Sequence, residues 1–295
     1  MTTRILQFGT TGQLGLELLR QAPAHPVRIT ALSRQDADFA DPAACAAQVA
    51  AARPDLVVIA AAYTAVDQAE REPEIAVRVN AETPGAVARA AEAAGAPVVW
   101  FSTDYVFDGT KPTPYVESDP IRPANAYGRS KAEGERAVLD GASRALVLRI
   151  SWVVSSHGKN FVKTMLRLAA EGRPLRVVDD QFGRPTSAAD LAGFVLAEAP
   201  RLAAAEAQDP RFGLFHFANA GETTWRRFAE TILAQAMGEA APKVEPITTA
   251  EFPTPARRPA RSTLDTGKLE RVFGYRPRPW SEALADITAE LKVAA

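Results

Sequence analysis

The segment YGRSKAEGE places Tyr127 and Lys131 four residues apart, so one helical turn puts a phenol and an ammonium on the same face. Upstream, WFSTDYVFDG offers the hydroxyl of Thr103 at the end of an apolar run. Hydroxyl, phenol and ammonium together suit the reduction of a carbonyl, in which a hydride adds to carbon while a positioned acid protonates oxygen. A free phenol has a pKa of about 10, too high for efficient donation near neutrality, and a neighbouring ammonium favours the phenolate and lowers that value. On this reading Tyr127 is the acid, Lys131 tunes it and reaches the nicotinamide ribose, and Thr103 orients the substrate oxygen.

Such chemistry needs a hydride donor held nearby. Directly after the first apolar run comes GTTGQLGLELL, with Gly9, Gly12 and Gly15 in G-x-x-G-x-x-G spacing ahead of a helix. A strand-to-helix turn of this kind lets the backbone approach a pyrophosphate, whose charge is met by free amides at the helix N-terminus. At the end of the second run, where a carboxylate would favour NAD, stand Ser33 and Arg34. A hydroxyl and a guanidinium there favour the 2′-phosphate of NADP, with NADH use left open.

The elements that must position these groups are legible as well. Runs rich in Val, Ile and Leu (RILQF, VRITAL, LVVIAAA, PVVWFST, ALVLRIS) alternate with Ala-rich helical segments. Continuous apolar runs mark strands covered on both faces, so the chain reads as α/β: a Rossmann-like, doubly wound parallel sheet. Asp41 ahead of Pro42 reads as a helix N-cap, and Gly95 as a helix stop. A dinucleotide-binding domain is expected over 1–150. Beyond it, RVVDDQFGRPTS, GLFHFANAGETTW and a proline-rich stretch read as loops and short strands, so 151–295 is expected to be mainly a smaller C-terminal substrate-binding lobe, with some segments returning to the first domain.

Taken together, GTTGQLG at 9–15, AAAYTAVDQAE at 60–70, VNAE around Asn80, STDYVFDG at 102–109, YGRSKAEGE at 127–135, RISWVVS, DQFGRPTS at 180–187 and RPARSTLD at 258–265 resemble the extended short-chain dehydrogenase/reductases, and within them the dTDP-4-dehydrorhamnose reductase family. The resemblance implies an oxidoreductase that uses NADPH, with NADH possible, to reduce the C4 keto group of dTDP-4-dehydro-β-L-rhamnose in the last step of dTDP-L-rhamnose synthesis. It further implies cofactor contacts at Gly12, Gln13, Leu14, Asp38, Phe39, Ala62, Tyr63 and Thr64, and substrate contacts at Thr103, Asp104 and Trp152. Arg184, Arg258 and Arg261 are candidates for neutralising the substrate's pyrophosphate.

Some members of the family are Mg2+-dependent dimers. Glu17 matches one acidic position, and Asp190 and Glu290 lie near the others, but Asp190 has a shorter reach than the family's Glu. No metal site is assigned, and Mg2+ dependence stays open, as does the choice between monomer and homodimer. Other readings also stay open: a reductase or epimerase of another 4-keto-6-deoxy sugar nucleotide, or a non-catalytic NADP-binding regulatory subunit. A dehydratase is disfavoured because Tyr105, not a Glu, follows Asp104.

Composition agrees with a small soluble substrate. The 295 residues carry a formal net charge of −1 with both signs interspersed, which argues against nucleic-acid binding. No apolar run approaches a membrane span, MTTR lacks the features of a signal peptide, and the lone Cys45 sits among alanines; these point to a reducing cytoplasm.

Overall fold

The computed structural model describes residues 2–293. The first half runs β1 (Thr3–Phe8), α1 (Gln13–Gln21), β2 (Val27–Leu32), α2 (Pro42–Ala52), β3 (Leu56–Ile59), α3 (Val66–Ala69), α4 (Pro73–Val77), α5 (Thr83–Ala94), β4 (Val98–Thr103), α6 (Ala126–Gly141) and β5 (Ala145–Ile150). The second half continues β6 (Val153–Val154), α7 (Phe161–Ala170), β7 (Leu175–Val178), β8 (Phe182–Gly183), β9 (Thr186–Ser187), α8 (Ala188–Ala203), β10 (Gly213–Phe217), β11 (Thr223–Thr224), α9 (Trp225–Met237), β12 (Val244–Ile247), α10 (Gly267–Phe273) and α11 (Trp280–Val293).

A six-stranded parallel sheet in the order β2-β1-β3-β4-β5-β10 forms the centre. Its inner strands are mostly apolar because both faces are covered: every residue of β3 and β4 is buried. On one face Leu14 and Leu18 of α1 meet Leu191 and Val195 of α8 over Val58 and Phe101. On the other, Cys45 and Val49 of α2, Val87 of α5 and Val138 of α6 pack on Val57, Trp100 and Val147. Asp41 caps α2, accepting from the Ala44 amide at 3.0 Å, and Gly95 closes α5, as the sequence predicts.

The order of connection reverses between β1 and β3, and their carboxyl ends open a crevice there. The glycine turn follows β1, Ala60 follows β3, and Asp104 follows β4, so the groups singled out by chemistry all stand on one rim.

The segment GLFHF, read as part of the second lobe, is β10, the sixth strand of the central sheet, paired along β5 from Gly213↔Leu146 to Phe217↔Ile150. Its Phe215 and Phe217 join the sheet's core, as does Leu269 of α10. The remaining second-half elements build their own core, in which Val162 and Met165 of α7, Phe228 and Ile232 of α9, and Leu284 and Ile287 of α11 surround Leu175 and Val177. Among the described residues no helix is long and apolar enough to cross a membrane.

Candidate active site

Gly12 occupies the N-cap of α1 without any side-chain cap, and the first turn holds no acid, so the opening amides of the helix are left for an anion. A Cβ at Gly12 would meet nothing within 4 Å. Gly9 is different: its φ is +91°, and a Cβ there would come to 2.8 Å from the Ala61 amide nitrogen, so only glycine lets the turn pass the end of β3. Gly15 does not line the crevice; it lets α1 seat directly against the turn, where a side chain would collide with the Gly9 carbonyl. Gln7, which sequence reading overlooked, ties the two from below, its amide donating to the carbonyls of Gly9 at 2.9 Å and Gly15 at 3.1 Å.

The crevice has a volume of about 790 Å³ and brings together Gly9, Gly12, Gln13, Leu14, Arg34, Asp38, Phe39, Ala62, Tyr63, Thr64, Thr103, Asp104, Tyr127, Lys131 and Trp152. At its outer end Ser33 is committed to Asp36, its hydroxyl donating at 2.6 Å, so the guanidinium of Arg34 is the group left for a phosphate. Arg34 is largely exposed and only loosely paired with Asp38, at 3.5 Å. Phe39 packs its ring on Phe8, centroids 5.4 Å apart, and offers the crevice little beyond its backbone. The loop at 62–64 is pinned by Asn80, whose side chain accepts from the Tyr63 amide at 2.9 Å and donates to the Tyr63 carbonyl and to Ser130 of α6 at 3.0 Å each. Asn80 sits in a wide helical turn spanning Arg78–Glu82, an irregularity of the kind that accumulates at functional sites.

At the inner end Asn125 caps α6, accepting from the Gly128 amide at 2.8 Å, and so fixes the first turn that carries Tyr127. The Tyr127 ring meets Tyr105 edge-on at 5.8 Å. Burial raises its phenol above the ordinary value, the Thr103 hydroxyl opposes that shift, and Asp104 adds to it. Lys131 is also fully buried; its ammonium donates to the Phe101 carbonyl at 2.8 Å and lies 4.6 Å from the centre of the Trp100 ring. Burial brings its pKa down to about 7, against a smaller opposing pull from Glu135. This departs from the expectation that the ammonium acidifies the phenol. The spacing does put both on one face, but removal from water penalises each charged form, raising the phenol and lowering the ammonium.

Asp104 is buried beside them. One carboxylate oxygen accepts from the Thr103 hydroxyl at 3.1 Å and the other has no partner. Burial raises its pKa from 3.8 to about 7, with the Ser262 and Thr103 hydroxyls pulling back. A carboxyl whose folded pKa is raised stabilises less as pH climbs, so its contribution falls between about pH 4 and 7. Asp104→Asn keeps the shape without the charge. It is expected to raise the melting temperature at pH 8 and to leave it nearly unchanged at pH 4, as followed by circular dichroism.

With this geometry in hand, the chain matches the family model described as the RmlD substrate binding domain over residues 3–293. The chain belongs to the RmlD family. A dTDP-4-dehydrorhamnose reductase of Sinorhizobium fredii is 46% identical over 283 residues, covering 95% of each chain, and the one from Escherichia coli K12 is 41% identical over 294 residues, covering 97% of each. Among solved structures, a dTDP-4-dehydrorhamnose reductase from Clostridium acetobutylicum superposes with a TM-score of 0.91 at 37% identity, covering 98% of this chain and 99% of that one. The Bacillus anthracis reductase, in complex with NADP, gives 0.90 at 34%, covering 98% and 100%.

Other residues implied by resemblance to the RmlD family are placed unevenly. Trp152 lines the crevice with a φ of +46°, and its ring stacks on Trp225 with centroids 3.6 Å apart. A Cβ at Gly183 would fall 2.6–2.9 Å from three adjacent atoms of the same indole, so only glycine lets the chain pack this closely on the ring. Trp152 is thus held by its stack on Trp225 and by close packing against Gly183 while it lines the crevice. Arg258 pairs with Asp67 at 3.0 Å, and Arg261 pairs with Glu222, so neither guanidinium is free. Arg184 has a buried Nε without a partner. Of the acidic trio, Glu17 and Glu290 both reach Arg20, at 2.7 and 3.7 Å, while Asp190 is held by Arg278 at 2.8 Å. Among the described residues no cluster of three or more His, Cys, Asp or Glu could hold a metal ion.

Sequence reasoning also missed a buried network beneath Thr103 and Lys131. Glu135 accepts from Ser102 at 2.6 Å and takes two bonds of 2.7 Å from Arg149. The signal was present: a lone Arg in the apolar strand ALVLRI demands a buried partner.

Proposed function

We propose that this RmlD-family chain reduces the C4 keto group of dTDP-4-dehydro-β-L-rhamnose to give dTDP-β-L-rhamnose, the last step of dTDP-L-rhamnose biosynthesis, with NADPH as the preferred reductant and NADH possible. The observation that carries the reading is the convergence of Thr103, Tyr127 and Lys131 on one crevice with an uncapped helix N-terminus at its other wall, in a chain 41–46% identical to reductases of that name over nearly their full length.

The residues present suit a dinucleotide: glycine backbone and open amides for the pyrophosphate, Arg34 for a 2′-phosphate, and the loop at Ala62–Thr64 for the nicotinamide side. When bound, dihydronicotinamide supplies the hydride. Tyr127 Oη donates the proton to the sugar oxygen, Thr103 Oγ1 holds that oxygen in line, and Lys131 Nζ hydrogen-bonds the nicotinamide ribose. Asp104 and Trp152, both lining the crevice, contact the sugar. Residues 1–150 act as the dinucleotide domain, joined by α8 and β10, and the lobe built on α7, α9 and α11 covers the sugar nucleotide.

Oxidation of NADPH and NADH in parallel, with dTDP-4-dehydro-L-rhamnose as acceptor and the product identified by mass and NMR, tests the reading; an isomerised product without net cofactor consumption would replace it by epimerisation. Cofactor choice has its own readout. Arg34→Ala is expected to raise KM for NADPH by about tenfold or more, the worth of a charge-assisted contact, with little change for NADH.

A further inference from the structure

The cofactor whose binding is proposed above carries two charges on its pyrophosphate, yet the turn from Gly9 to Gly15 contains no cationic side chain. Among the described residues lining the crevice, the cations are Arg34, Lys131 and Lys159. Arg34 stands at the far end beside Asp38, and Lys131 is buried in the catalytic centre against the Phe101 carbonyl. Lys159 belongs to neither place. It is exposed, and none of the hydrogen bonds or ion pairs of the described residues involves its ammonium.

What brings Lys159 to the glycine turn is the side chain of Gln13. Sequence resemblance assigns Gln13 to the cofactor, but its amide is consumed by the second lobe: it donates to the Val153 carbonyl at 3.1 Å and accepts from Ser155 Oγ at 3.0 Å and Asn160 Nδ2 at 2.9 Å. Asn160 in turn donates to the carbonyls of Ser155 and His157 and caps α7 by accepting from the Lys163 amide. Residues 153–160 are therefore folded around one glutamine at the start of α1. Gly158, at φ +62°, passes so close that a Cβ there would lie 3.6 Å from Gln13 Cγ. The next residue is the lysine.

We infer that Lys159 is a ligand of the cofactor's pyrophosphate, carried onto the glycine turn by the second lobe. The helix amides contribute direction but only partial charge, and the exposed ammonium on the crevice wall adds a full positive charge. The Gln13 bracket then has a functional consequence: the lobe that covers the sugar also helps hold the reductant.

The test is direct binding without sugar, by fluorescence titration of NADPH into wild type, Lys159→Ala and Lys159→Arg, each checked for an unchanged melting temperature. Lys159→Ala is expected to weaken NADPH by about tenfold at low salt, the deficit shrinking as ionic strength rises, with Arg restoring most of it. Two further probes locate the contact: 2′-AMP, which lacks the pyrophosphate, should bind both proteins equally, and dTDP should too. An NADPH affinity within about twofold of wild type would overturn the inference, and so would an equal loss for 2′-AMP or a loss confined to dTDP. A wild type that binds NADPH yet leaves the keto sugar unreduced would sink the substrate assignment and leave this inference standing.

Discussion

Tyr127→Phe is expected to lower kcat/KM for the keto sugar nucleotide by about a hundredfold or more while NADPH still binds, because general acid catalysis of this kind is worth about 10²–10⁴ in rate. The variant isolates the proton. A phenylalanine keeps the edge-on packing against Tyr105 and the small apolar cluster with Ala69, Ala76 and Ala126, so the fold has no reason to suffer. Steady-state kinetics with a fluorescence measurement of NADPH affinity separates the two quantities. A loss of less than about tenfold would mean that another group protonates the oxygen, and Asp104, buried and holding a proton up to about pH 7, would be the first to examine.

The outcome bears on how the pair at 127 and 131 operates. Spacing alone puts the ammonium under the phenol, and from that the simplest expectation is a phenol made acidic by its neighbour. Burial changes the balance, raising Tyr127 and lowering Lys131 to about 7. A phenol held above its ordinary pKa is a weaker acid, so its proton passes only as charge developing on the substrate oxygen makes that oxygen the stronger base. The Lys131 ammonium is placed by the Phe101 carbonyl, to which it donates at 2.8 Å.

How much of this was readable beforehand follows from the range of the interactions. The strands β1 to β5, the glycine turn and the Tyr127–Lys131 face are local patterns, set by continuous apolar runs, by missing side chains and by helical period, and the sequence carries them within a few residues. β10 lacks that signature: it is five residues long, begins at a glycine and contains His216, and only its register with β5 makes it a sheet strand. The same holds for Gln7, Asn80 and Gln13, whose partners lie across a turn, 17 residues away and some 140 residues away. A polar side chain announces that it needs a partner, but not which one. Trp152 shows the converse limit, since its type predicts a platform and only the structure shows its ring stacked on Trp225 and packed closely against Gly183.

Glu135→Ala is the substitution expected to cost most in stability. The carboxylate lies one turn beyond Lys131 on α6, is buried, and receives Arg149 through both oxygens at 2.7 Å as well as the Ser102 hydroxyl at 2.6 Å. Removing it strands Arg149, itself 2% exposed, whose guanidinium keeps only the Glu117 carbonyl at 3.5 Å, His216 at 3.4 Å and the face of Phe107 at 4.9 Å. His216 offers no relief, since burial and Arg149 push its pKa down to about 3 and it stays neutral. Breaking a buried ion pair from one side costs about 3–5 kcal/mol, enough to lower the melting temperature by several degrees or to prevent accumulation of folded protein. The double variant Glu135→Leu with Arg149→Met removes both charges and is expected to recover most of that loss in urea denaturation, because no uncompensated ion remains. If the double variant is as unstable as the single one, the network acts through shape rather than charge. If it is stable but turns over poorly, the tether from Glu135 to Ser102 is what holds Thr103 at the working distance from Tyr127.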